Sequence, residues 1–354
     1  MKRILSLLLS VLLALGCFAA CEDSSSSGSD ATASSDPSAE ASTDTDSTAS
    51  TGTQEFSSAE EVLDASDHYI GLCDQGNSRV IIRDLSVEDW SDDNGVVWEF
   101  KHKYCSSVCG IKFRDVPFWG GKVVVLCYHG GAMIVSYESR QLLFHTGLTG
   151  NNPHSVELLP NGTLIVASST DNDVRIYAPG EQKASQIVEF PNAHGVLWDP
   201  TYEVVWMVGT NLLGAYLVGG TEEAPTLSAI GGMSYKTPKS GMHDLAASYS
   251  DPTKLFVTCS NGIMIFDKES EKFSFEYPGG VYGKQQNYAP GCGAFGHDDV
   301  FVFTTIREST MVLNEWCTDQ VFIYCPFGKN GKLIKRRAEG DAYYKLRVLN
   351  FDYQ

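Results

Sequence analysis

From residue 59 onward the chain alternates short apolar runs with Gly, Asn, Asp and Pro punctuation. No stretch holds a 3.6-residue apolar period for long enough to make a long amphipathic helix, so the pattern predicts an all-β protein. The runs fall into groups of four. One group occupies 154–160, 163–170, 173–179 and 185–191, with Asn161-Gly162 as the hairpin turn between its first two runs. The next occupies 194–200, 203–210, 212–218 and 226–232, and a third 243–250, 254–261, 262–268 and 272–278. Less regular groups flank these, at 112–116, 122–129, 132–138 and 141–147, and at 284–290, 300–306, 320–326 and 332–338. The first group has only three runs, 69–75, 79–85 and 95–101, and its missing strand is supplied by 345–351. Four-stranded units repeating every 40–50 residues or so mark a β-propeller. Lending the last strand to the first unit closes the ring and removes an exposed sheet edge. The expected fold is a six-bladed β-propeller over 59–354, closed by the C-terminal strand.

The residues before it follow other rules. Met1-Lys2-Arg3 and the apolar run 4–20 have the order of a signal peptide, and the run is short for a membrane span. Ala14-Leu15-Gly16-Cys17 and Phe18-Ala19-Ala20-Cys21 both resemble a bacterial lipoprotein cleavage box. Cys21 is the favoured lipidation site because the polar segment starts directly after it; Cys17 is the alternative, and an ordinary signal peptide cut nearby is the third reading. Residues 21–58 are rich in Ser, Thr, Asp and Ala, a composition that cannot bury enough surface to order itself. As a coil this tether would span about 30–40 Å. The expectation is an exported, extracytoplasmic protein held to the cell membrane by an N-terminal lipid.

Of the 44 acidic residues, 12 lie in 22–67, where there is no basic residue. Much of the net charge of −18 therefore belongs to the tether, and the remaining domain is moderately acidic. That balance argues against nucleic acid as a partner, since its binding rests on a basic surface. Eight of the ten cysteines lie beyond residue 58. Export permits disulfides, with Cys105 and Cys109 the closest pair, but connectivity does not follow from spacing. The lack of a CxxC pair speaks against a structural thiolate zinc site.

Three histidines, His154, His194 and His243, open the first run of consecutive groups. Extending the repeat both ways puts Lys112, Lys284 and Lys345 at the same position. In a closed ring these six side chains would converge on the channel mouth, a concave place where ligands bind. The three imidazoles could hold a divalent transition metal, and the lysines could face an anionic ligand. The plainer reading is that each histidine hydrogen-bonds a neighbouring blade and locks the ring. Glu157 and Asp244 could orient the histidines, or serve as solvated or capping groups. Arg114 and Arg347 follow Lys112 and Lys345 on the same strand face and would extend a basic lining. Asp171-Asn172-Asp173 reads as a hairpin turn rather than a calcium loop, and Asn161-Gly162-Thr163 as a turn rather than a glycosylation site. No nucleophile elbow, phosphate loop or dinucleotide fingerprint occurs.

The motifs Pro153-His154-Ser155-Val156-Glu157-Leu158-Leu159-Pro160-Asn161-Gly162, Ala193-His194-Gly195-Val196-Leu197-Trp198-Asp199 and Gly241-Met242-His243-Asp244-Leu245 resemble those of an uncharacterised family of secreted bacterial six-bladed propeller lipoproteins. Lys284-Gln285-Gln286 departs from that pattern. The resemblance implies the fold and no activity. The histidine-rich channel also loosely resembles that of propeller lyases acting on pectic oligosaccharides, and its basic residues those of arylsulfate sulfotransferases. Three functions stay open: recognition of an anionic small molecule or acidic saccharide at the channel mouth, metal-dependent lysis or hydrolysis of acidic glycans, and a non-catalytic protein-interaction scaffold.

Overall fold

A computed structural model describes residues 56–147, 150–275, 289–306, 308–326 and 331–353. Cys17, Cys21, the signal segment, most of the tether and Lys284 lie outside them. Six four-stranded antiparallel sheets form the blades of the predicted propeller. Blade 2 holds β4 (Val108–Val116), β5 (Gly121–Tyr128), β6 (Gly131–Ser136) and β7 (Leu142–Thr146). Blade 3 holds β8 (Pro153–Leu158), β9 (Leu164–Ser168), β10 (Asp173–Tyr177) and β11 (Gln186–Glu189). Blade 4 holds β12 (Gly195–Asp199), β13 (Val204–Gly209), β14 (Leu212–Gly220) and β15 (Pro225–Lys236), and blade 5 holds β16 (Met242–Ala247), β17 (Lys254–Cys259), β18 (Gly262–Asp267) and β19 (Lys272–Ser274). Blade 6 holds β20 (Cys292–Ala294), β21 (Phe301–Phe303), β22 (Gln320–Cys325) and β23 (Lys332–Arg337).

Blade 1 is completed from the other end of the fold. Its β1 (Tyr69–Asp74), β2 (Arg79–Asp84) and β3 (Val96–Lys101) are joined on the inner side by β24 (Tyr343–Val348). Ile70 pairs with Val348 and Leu72 with Leu346. Buried charge fastens the join. Asp341, just ahead of β24, accepts from Arg79 at 2.9 Å and from Arg83 at 3.0 Å, both on β2. The six innermost strands each touch the next, so the ring is closed.

The second strands of the blades are continuous apolar runs because both of their faces are covered. All six residues of β13 are buried, as are the last six of β5. Each such Val or Leu removed from water contributes about 1.5–3 kcal/mol. The Asn161-Gly162 turn forms as expected, with Gly162 at φ +92° and its amide donating to Leu159 O at 2.9 Å.

Three local features differ from expectation. A short helix, α1 (Ala59–Asp64), precedes blade 1, too brief to show a helical period in the sequence. It is capped at Ser58, whose hydroxyl accepts from Glu61 N at 3.1 Å, while the Glu61 carboxylate reaches back to Ser57 N at 2.6 Å. The inner strand of blade 6 is 292–294, and the predicted run 284–290 lies mostly outside the described residues. Small residues are required there: a Cβ on Gly291 would sit 2.8 Å from Leu346 N, and one on Gly293 would sit 3.1 Å from the Val348 side chain. Finally, β4 and β24 start earlier than predicted, at Val108 and Tyr343, so Lys112 and Lys345 lie inside their strands rather than opening them. Among the described residues no helix is long and apolar enough to cross a membrane.

Candidate functional site

The histidines reach the channel mouth through a repeated irregularity. In β8 the pairing with β9 shifts between Pro153 and Ser155, leaving His154 as an extra residue. The same shift leaves Cys109 between Val108 and Gly110 on β4, and His243 between Met242 and Asp244 on β16. A bulge of this kind re-aims one side chain relative to the ladder. His194 stands immediately ahead of β12, its amide donating to Val208 O at 2.9 Å. Tyr344 lies in the corresponding shifted stretch of β24.

These residues line one cavity of about 300 Å³ together with Gln75, Ser107, His129, Asn152 and Trp316. The His154 and His194 rings stack at 4.3 Å between centroids, and His243 meets His194 edge-on at 5.1 Å. Tyr344 Oη lies 3.2 Å from His154 Nδ1. His194 Nδ1 faces Asn192 O at 2.8 Å, so that nitrogen carries the hydrogen and Nε2 carries the lone pair. Trp316 is 43 % exposed at the rim, with its indole N–H donating to Gln75 Oε1 at 3.3 Å.

Burial keeps all three imidazoles neutral. It holds His154 well below the ordinary histidine range, with His194 and Lys345 adding to the effect. It brings His194 to about 4 against the opposing bond to Asn192, and His243 to about 3 with His194 and Lys345 adding.

Among the described residues, Lys112 and Lys345 do not stand level with the three histidines. Cys109 and Tyr344 occupy the positions equivalent to the histidines, while Lys345 lies one residue and Lys112 three residues further along their strands. Sequence alternation could not show the bulges that set this offset. Both lysines are buried beneath the mouth in an ionic layer. Lys112 Nζ donates to Glu157 Oε2 at 3.0 Å and to Val196 O at 2.7 Å. Arg114 grips the same carboxylate with Nε at 2.7 Å and Nη2 at 2.8 Å. Arg347 holds Asp244 in a second two-pronged pair, one contact of which is 2.6 Å. Lys345 Nζ lies 2.6 Å from His154 O and 3.5 Å from both His194 O and Asp244 Oδ1. Glu157 and Asp244 therefore pair with cations and do not orient the histidines.

Within this layer the charges are unequal. Against its burial, Arg114 and Lys112 hold the Glu157 carboxyl at about 2. Lys112 falls to about 7, because burial and the nearby Arg114 and Arg347 outweigh Glu157. Arg114, with its two-pronged grip, is the dominant partner of that carboxylate.

Among the described residues, the group of three potential ligands whose donor atoms all lie within 4.8 Å is His68, His297 and Asp298. The donor atoms of His154, His194 and His243 do not form such a tight cluster among the described residues. Of the channel histidines, His154 and His194 stack and His243 meets His194 edge-on. Asp171 and Asp173 both pair with Arg175, at 2.9 Å each, as a braced turn rather than a cation loop. The eight described cysteines are all buried thiols. Gln75, Trp316, Tyr344 and Cys109 were missed from the sequence. Tyr344 and Cys109 become visible only once the bulge is aligned, and Trp316 sits in a connection without period.

Fold and pocket define a six-bladed propeller with a polar, aromatic-rimmed cavity at one channel mouth. The chain belongs to a family of unknown function, DUF6528, whose sequence profile matches residues 38–280. No curated protein matches it. Similar solved structures share the fold at low identity. A protein of unknown function from Bacteroides caccae is 11 % identical, with a TM-score of 0.54, over 80 % of this chain and 99 % of that one. A functionally unknown protein from Desulfotomaculum acetoxidans is 11 % identical, with a TM-score of 0.53, over 81 % and 100 %. A chain of a nidogen/laminin complex is 9 % identical, with a TM-score of 0.54, over 81 % and 100 %.

Proposed function

We propose that this protein binds a small anionic ligand, of the class of a carboxylate-bearing saccharide, in the cavity formed by His154, His194, His243, Tyr344 and Trp316. The observation that carries this reading is the charge balance beneath the mouth. Two buried arginines, Arg114 and Arg347, and two buried lysines, Lys345 and the weakened base Lys112, stand against two buried carboxylates, Glu157 and Asp244. The excess is positive, and Lys345 lies directly under the His154 backbone. Low dielectric surroundings let such an excess act over several ångströms. The walls add neutral ring nitrogens, a phenol, amides and an exposed indole, the donors and flat apolar faces that suit a polar ring carrying a carboxylate. In this reading the domain works outside the cytoplasm, presented by the 21–58 tether from a lipid on Cys21.

Calorimetry of the full chain with uronic acids and their neutral parent sugars tests it. The acids should bind and the neutral sugars should bind at least tenfold more weakly. Affinity should fall with salt. It should rise as pH drops from 7 to 5, because a bound carboxylate favours protonation of imidazoles that are neutral without it. Equal binding of acid and neutral sugar, or no binding of any acid tried, would overturn the reading.

A further inference from the structure

His68, His297 and Asp298 take no part in the channel mouth. His68 lies directly ahead of β1 with its side chain fully buried. Its Nδ1 faces two backbone carbonyls, Leu63 O at 3.1 Å and Ser66 O at 2.9 Å. Carbonyls only accept, so Nδ1 carries a hydrogen, and an entering ion would take Nε2 in place of the proton shared there with Asp298. At Nε2 stand Asp298 Oδ2, 2.6 Å away, and His297 Nε2, 3.3 Å away. His297 and Asp298 are neighbours on the turn between β20 and β21, which is closed by Phe295 N donating to Val300 O at 2.9 Å. Asp298 Oδ1 accepts from Val300 N at 3.1 Å, which leaves Oδ2 aimed at His68. Phe295 packs edge-on against the His68 ring at 4.8 Å. Main-chain bonds thus orient the imidazole and the carboxylate, as outer partners orient metal ligands.

The donor spacings fit a tetrahedral ion. Ligand bonds of about 2.0–2.1 Å place two tetrahedral donors about 3.3–3.4 Å apart. The two Nε2 atoms are 3.3 Å apart, and His297 Nε2 is 3.4 Å from Asp298 Oδ2. The third side of the triangle, at 2.6 Å, is a direct hydrogen-bond contact that an entering ion would open by about 0.7 Å. The His297 and Asp298 side chains are 43 % and 23 % exposed, so solvent reaches this side of the cluster. Two imidazoles and one carboxylate suit zinc or its neighbours, whereas calcium and magnesium take oxygen ligands.

We propose that His68 Nε2, His297 Nε2 and Asp298 Oδ2 form a three-ligand site for a divalent transition-metal ion of the zinc type, its fourth position left to water. The ion would clip the lead-in to blade 1 onto the β20–β21 turn of blade 6, across the seam where the ring closes. This site shares no residue with the channel mouth and does not rest on the proposed ligand.

Titration of the EDTA-stripped full chain with cobalt, followed by zinc, tests the assignment. One equivalent of cobalt should give the visible absorption of a tetrahedral centre, and zinc should bleach it. Zinc at roughly a hundredfold over its Kd should raise the melting midpoint by about 5 °C. His297→Ala alters a partly exposed turn residue and should melt like the metal-free parent. Asp298→Asn removes the carboxylate paired with buried His68 and should melt lower. In neither variant should zinc shift the melt or cobalt give the absorption. A triple His154→Gln, His194→Gln, His243→Gln variant should keep both. The assignment fails if the parent takes up no stoichiometric metal, if both turn variants bind it as the parent does, or if the channel variant alone loses it.

Discussion

Two adjacent layers of the channel solve the burial of polar groups in opposite ways. At the mouth, His154, His194 and His243 are buried and neutral, held by ring contacts and single hydrogen bonds. Deeper in the channel, Arg114 and Lys112 of β4 pair with Glu157 of β8, and Arg347 and Lys345 of β24 pair with Asp244 of β16. The first layer gives up charge and sets neutral rings against the cavity. The second keeps charge by using nearly all of its hydrogen-bonding capacity internally. Residues that look alike in a sequence, basic and near the start of an inner strand, therefore divide into a neutral group that lines the cavity and a paired group that braces the ring.

Among single substitutions, removing a partner from the ionic layer should produce the largest effect. Glu157→Gln leaves Lys112 and Arg114 without their shared carboxylate and should lower stability by about 3–5 kcal/mol in urea unfolding. His154→Gln, which removes one neutral ring, should cost about 1 kcal/mol. Equal losses in the two variants would erase the distinction between the layers.

A cumulative effect, summed over three groups, should appear with pH. The three mouth histidines have folded pKa values below the ordinary 6.5, so the unfolded chain takes up protons that the fold cannot. Their contribution is complete above about pH 6.5 and is lost as pH falls toward their folded values, each histidine costing up to about 1.4 kcal/mol per pH unit. His68, raised by Asp298 against the effect of its burial, acts in the opposite sense. The triple His→Gln variant should flatten the loss between pH 6.5 and 4.5, and an unchanged slope in thermal melts would refute the neutral-mouth picture.

The smallest effect should come from the rim. Trp316→Ala should shift stability by no more than about 0.5 kcal/mol, since the side chain is part-exposed in a connection. A change beyond 1 kcal/mol or so would make Trp316 a brace rather than a contact for the ligand.

The blades were legible because each hairpin carries its own period and turn signal, as at Asn161-Gly162. The closing strand was legible as an apolar run left without a group. The level of the site residues was not. One extra residue at Cys109, His154 and His243 flips the alternation locally, and nothing in composition marks a bulge. Lys112 and Lys345 read as surface charges facing a channel, because their countercharges come from other blades: Glu157 from blade 3 and Asp244 from blade 5. The pairing of His68 with His297 and Asp298 joins opposite ends of the fold, and no spacing rule reaches that far.

The strand β24 has a kinetic consequence. Blades 2 to 6 each draw their four strands from one contiguous stretch, so they can assemble from local hairpins in about 1–10 μs per hairpin. Blade 1 cannot. Until Tyr343–Val348 docks, β1 presents an unpaired inner edge, and its partner arrives only through the longest loop in the fold. During that interval the same edge can accept the β24 of another molecule, because the two pairings are chemically identical. Refolding should therefore divide between monomers and strand-exchanged chains, with the exchanged share growing as protein concentration rises.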